Sequence, residues 1–79
     1  MSNDEHELKK FLKKQVEWCK RQDAIMENIE NKLYEMRELA EYARDHQLSL
    51  TETNVVNEQF NTLQQEVYLL EQQLQSILH

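Results

Sequence analysis

Seventy-nine residues with a formal net charge of −6 form one domain at most, and the acidic balance sets the chain as a whole against nucleic acid and anionic membranes. A chain this short buries only about 60 to 65 per cent of its unfolded surface, so it needs a disulfide, a metal or self-association to be secure. One cysteine, Cys19, excludes an internal disulfide, no Cys/His cluster offers a structural metal, and self-association remains. Gly and Pro are both absent, which disfavours sheets with tight hairpins and permits long uninterrupted helices. No apolar run is long enough to span a bilayer, and the charged N-terminus lacks the apolar centre of a signal peptide. A lone thiol suits the cytoplasm.

The chain opens with Ser2 and Glu5 at capping-box spacing, and Asp4, Glu5 and Glu7 place negative charge near the positive end of a helix dipole. From about Asp4 to His46 a heptad frame fits without interruption. One row of the seam is Leu12, Cys19, Met26, Leu33 and Ala40; a second is Leu8, Gln15, Gln22, Ile29, Met36 and Ala43. A third row, Phe11, Trp18, Ile25, Lys32 and Leu39, flanks the first. An apolar face this wide suits a helix that touches two neighbours, as in a four-helix bundle. The seam glutamines weaken packing but can fix register. Cys19 and Met26 are expected inside, as small or adaptable core residues.

Residues 47–51 break the phase, because Leu48 and Leu50 alternate instead of recurring at three or four. Thr51 offers an N-cap with Leu50 and Val55 at hydrophobic-staple spacing, and Ser49 with Glu52 is a rival capping box. Either start gives a turn of a few residues and an antiparallel neighbour rather than one continuous rod. The second helix runs from about 52 to 78. Its seam, Phe60, Leu63, Val67, Leu70, Leu74 and Ile77, steps by three and four and is extended by Val56. The fold predicted is all-α: an antiparallel hairpin with a long first helix over about 4–46 and a shorter second one, self-associating into a four-helix bundle or coiled coil.

The two helices differ in length by enough to leave one end uncovered. At about 1.5 Å per residue, a fold at Leu48–Ser49 brings together residues whose numbers sum to roughly 96. Residues before about Val16 then have no partner within the chain. Leu8, Phe11 and Leu12, with Trp18 at their edge, would form an apolar patch that another chain should cover, most simply a second copy in a two-fold dimer.

Six of the nine basic residues, Lys9, Lys10, Lys13, Lys14, Lys20 and Arg21, crowd the same stretch. A basic amphipathic helix can meet acidic proteins, membrane surfaces or phosphate backbones, but a solvated charge face is its default. Glu5–Lys9 and Glu17–Arg21 are spaced for local ion pairs, and the second helix, with four Glu and neither Lys nor Arg, could mate with the basic end of another copy. His6, His46 and His79 lack a Glu three positions before them and read as surface residues. Tyr34, Tyr42 and Tyr68 read as rim residues. The composition points to a non-catalytic protein-binding module without cofactor or metal, such as an adaptor, small chaperone or regulator. Nucleic-acid or anionic-membrane binding through Lys9 to Arg21 is the competing expectation.

Overall fold

The computed structural model describes the backbone of residues 2–78 and the side chains of residues 4–77. The hydroxyl of Ser2 and the imidazole of His79 therefore lie outside the described groups. The chain forms two helices, α1 (Ser2–Asp45) and α2 (Leu50–Leu78), which pack against each other; no strand occurs among the described residues. The molecule measures 72 × 19 × 13 Å. Its length is essentially that of α1, since 44 helical residues rise about 66 Å.

The seam between the helices alternates steps of four and three on both sides. From α1 come Trp18, Gln22, Ile25, Ile29, Lys32, Met36, Leu39 and Ala43; from α2 come Val56, Phe60, Leu63, Val67, Leu70, Leu74 and Ile77. All are buried or half-buried, with Ile25 and Val67 the most enclosed at 9% and 7% exposure. A two-helix seam is one layer thick, so no side chain is sealed on every side.

The pairing is antiparallel and in the register set by the short turn. The Trp18 indole Nε1 donates to the Ile77 carbonyl oxygen at 3.2 Å, and Lys32 forms an ion pair with Glu66. The indole thereby satisfies one of the last α2 carbonyls, which have no acceptor role left inside the helix.

The seam chosen by α1 corrects one expectation. Two of its three apolar rows face α2, and one of the two rows expected in the seam does not. Leu12, Cys19, Met26, Leu33 and Ala40 are all exposed, whereas the flanking row of Trp18, Ile25, Lys32 and Leu39 turns inward. A three-row face exceeds what one neighbouring helix can cover. The Lys32–Glu66 pair and the Trp18–Ile77 bond both join the helices through that flanking row. Cys19 and Met26 are consequently surface residues, not core.

Ser49, rather than Thr51, starts α2. The Glu52 N–H donates to Ser49 Oγ at 3.1 Å, and Ser49 Oγ donates to Glu52 Oε1 at 3.1 Å. This is a reciprocal cap closed through the hydroxyl. Leu50, left inside the helix by that start, is 80% exposed and forms no staple. At the other side of the turn, the Tyr42 carbonyl oxygen accepts from the His46 backbone N–H at 3.1 Å. His46 Nδ1 lies 2.9 Å from the same oxygen, and its ring stacks on Tyr42 with centroids 4.1 Å apart. With no Gly, and no positive φ among the described residues, α1 ends through this histidine instead of a left-handed residue.

Candidate interaction surface

Trp18 marks the boundary of what α2 covers. Every side chain from Asp4 to Glu17 is exposed, including Leu8 at 57%, Phe11 at 57%, Leu12 at 52% and Val16 at 53%. A fourteen-residue helical segment carrying four large apolar side chains thus projects past the end of the hairpin. A soluble monomer rarely exposes a contiguous apolar patch of this kind without a use for it. Of the four residues expected at an interface, Leu8, Phe11 and Leu12 stand open, while Trp18 is half-buried against α2 and forms the shoulder of the patch.

The apolar surface does not stop at Trp18. The open row of α1 carries it along the side of the hairpin, with Met26 at 46% and Leu33 at 48% exposure and Cys19 and Ala40 also open. The overhang and the row make one continuous stripe on α1, spanning Leu8 to Ala40. The sequence signal for this stripe was present as the row Leu12, Cys19, Met26, Leu33 and Ala40, but spacing alone does not say which two of the three rows α2 takes.

Charge is distributed unevenly along the same helix. Lys9, Lys10, Lys13, Lys14, Lys20 and Arg21 are all exposed, and among the described residues the ion pairs are Lys32–Glu66, Arg37–Glu41 and Arg44–Asp45. The local pairs Glu5–Lys9 and Glu17–Arg21 expected from spacing are not formed, in keeping with the small gain such exposed pairs bring in water. None of the six cations is in an ion pair among the described residues, and with Asp4, Glu5, Glu7 and Glu17 on the same stretch they still leave it an excess of positive charge. Against them, residues 22–45 carry seven carboxylates and three cations, and α2 carries four carboxylates and no cation.

Two shallow depressions complete the surface. One, about 700 Å³, lies between the helices near the turn and is walled by Glu35, Glu38, Tyr42, Glu58 and Gln59 over Leu39 and Leu63. The other, about 600 Å³, lies at the foot of Trp18 beside Lys14, Gln15, Glu17 and Arg21. The first is an open trough between the two helices, and the second is an open depression on α1 alone. The tyrosines sit at edges: Tyr34 and Tyr68 are exposed, and Tyr68 Oη accepts from Gln72 Nε2 at 2.8 Å. Glu38 beside Tyr34 holds its phenol above the ordinary value. Lys32 is likewise held above its ordinary value, chiefly by its hydrogen bond to Glu66.

Among the described residues no three His, Cys, Asp or Glu side chains gather as metal ligands, and no helix is long and apolar enough to cross a membrane. His6 and His46 are exposed. Comparison with protein-family models, with curated proteins and with solved structures finds no match.

Proposed function

We propose that the chain is a non-catalytic protein–protein interaction module that docks helices of a protein partner along α1. Adaptor, small chaperone and regulator are roles of that kind. The observation that carries this reading is the overhang: Leu8, Phe11, Leu12 and Val16, each more than half exposed, on a segment that α2 is too short to reach. Helix-in-groove recognition uses anchors at this three-and-four spacing, and the carboxylates of an acidic partner would neutralise Lys9, Lys10, Lys13 and Lys14. A partner helix laid on the stripe would give the hairpin the additional layer it lacks, in the manner of a four-helix bundle. The cytoplasm is the setting that suits a single exposed thiol.

The six unpaired cations favour a second reading, in which the same stretch binds nucleic acid or an anionic membrane surface. The net charge of −6 and the carboxylates that follow Arg21 oppose it.

A photo-crosslinking amino acid placed at Phe11 in the living source cell separates the two. Crosslinks to polypeptide, lost when Leu8 and Leu12 are both changed to Asp, are expected. Crosslinks to lipid or nucleic acid would establish the second reading, and none at all would remove both.

A further inference from the structure

The open stripe and the overhang are complementary to each other, and that fixes an occupant. The protein exposes 6906 Å², whereas a compact monomer of 9.6 kDa exposes about 5,100 Å². The excess, about 1,800 Å², is more than the roughly 800 Å² that each partner of a standard stable interface buries. Beside the open row the exposed apolar side chains come from α1, since α2 presents Asn57, Gln64 and Glu71 on that flank.

We propose that a second copy of this chain lies antiparallel on the open row of α1, with the two-fold axis passing beside Cys19, so that each overhang covers the other copy's row. The proposal rests on the helix-docking reading above and names the partner within it.

The register follows from the rows. A two-fold axis at Cys19 pairs residues whose numbers sum to about 38 on antiparallel rise. Leu12 then meets the partner's Met26, Gln15 meets the partner's Gln22, and Cys19 meets the partner's Cys19. On the outer edge Lys9 falls opposite the partner's Glu30, and Lys13 opposite the partner's Glu27. Each of these contacts occurs twice, as two-fold symmetry demands. The basic overhang is thereby laid along the part of α1 that begins its acidic half. The seam glutamines, whose amides both donate and accept, face each other near the axis, which is the position where a polar pair sets register.

Pairing the overhangs only with each other is the alternative way to cover Leu8 and Phe11 with a second copy. It brings Lys9, Lys10, Lys13 and Lys14 of both copies together and leaves Met26 and Leu33 exposed. Charge and apolar area both favour the axis at Cys19.

Sedimentation of the full chain at micromolar concentration should give the mass of two copies. Diamide, which takes the two thiol hydrogens as a disulfide forms, should link Cys19 to the partner's Cys19 in the native state and not in denaturant. In a Cys19→Ser background, Leu12→Cys and Met26→Cys chains should each fail to crosslink alone and should crosslink when mixed. Lys9→Glu should weaken the dimer about tenfold, and adding Glu30→Lys to the same chain should restore it. A monomer at all concentrations overturns the proposal, and so does a dimer in which the Leu12→Cys chain crosslinks to itself while Cys19 does not. Either result leaves the helix-docking reading standing if Phe11 still crosslinks to a different polypeptide in the cell. Loss of both signals overturns the two together.

Discussion

Residues 18–45 and residues 4–17 of α1 are parts of one helix with one apolar spacing, yet α2 lies only along the first of them. Over 18–45 two apolar rows meet the Phe60–Ile77 seam, and Ile25 is closed to 9% exposure. Over 4–17 the same rows carry Leu8 and Phe11, both 57% exposed. The difference is in the partner, not in the helix: α2 has 29 residues against the 44 of α1. Packing, rather than propensity, provides most of the stability of a helix in a protein. The covered part should therefore behave as the fold and the overhang as a surface, and substitutions that ought to act differently in the two parts test this.

The largest contrast is expected from a charge. Val67→Asp puts a carboxylate into the centre of the seam with no cation directed at it, which costs about 3 kcal/mol or more. The fold buries only about half of its unfolded surface, so a loss of that size should abolish cooperative thermal unfolding by circular dichroism. Phe11→Asp should leave the unfolding of dilute, monomeric protein in place while removing association. If Phe11→Asp also melts dilute protein, the overhang belongs to the fold and the distinction drawn here is wrong.

Truncation sharpens the same point with less disruption. Ile25→Ala should cost about 2 kcal/mol, the low end for a buried aliphatic, because a single-layer seam can partly close around the gap. Leu8→Ala should stay within about 0.5 kcal/mol at concentrations where the chain is monomeric. Denaturant titration of the two variants side by side measures the difference. Equal losses would mean that Leu8 is covered in solution without a second chain.

The turn supplies a smaller effect on the covered side alone. Ser49→Ala removes both the acceptor for the Glu52 N–H and the donor to its carboxylate, and should cost about 1 kcal/mol. Thr51→Ala, at the other candidate cap, should cost less than half of that. A reversed order would show that α2 begins at Thr51 in solution.

Much of this was legible in the residues. The α2 seam has two apolar rows and a mostly polar remainder, so only one face could turn inward, and every position the spacing picks out from Phe60 to Ile77 is buried or half-buried, with Glu66 the one addition. The overhang was legible too, since it needs only two helix lengths and a short turn. The rotation of α1 was not. Three rows each look capable of packing, although Lys32 interrupts one and Gln15 and Gln22 weaken another. That lysine faces Glu66 across the seam, and a row with a mid-seam cation becomes acceptable once an anion stands opposite. Sequence periodicity reads one helix at a time, whereas the choice of face is a property of the pair. The cap was ambiguous for a similar reason: Ser49 and Thr51 are both good N-caps, and what separates them is the position of Glu52, which closes the box with Ser49 alone.

The smallest expected effect tests whether the Lys32–Glu66 pair helps to hold the rotation. Its hydrogen bond to Glu66 holds Lys32 above its ordinary value of 10.5, and carboxylates nearby act in the same direction. A base whose pKa is higher in the folded chain contributes stability that is fully present below its unfolded value and is lost as pH rises through the folded one. The window therefore opens near 10.5 and extends upward. Tyr34, held above its ordinary 10.0 mainly by Glu38, loses its own contribution in an adjoining window, so the comparison must be with a variant and not with neutral pH. Lys32→Met keeps the stem that packs in the seam and removes the charge. Wild type should lose more melting temperature than Lys32→Met as pH is raised through that window, and the difference should shrink in high salt because both partners are partly solvated. Parallel losses would show that the ammonium adds nothing to the seam. The inward turn of the Trp18, Ile25 and Leu39 row would then rest on apolar packing and the Trp18–Ile77 bond.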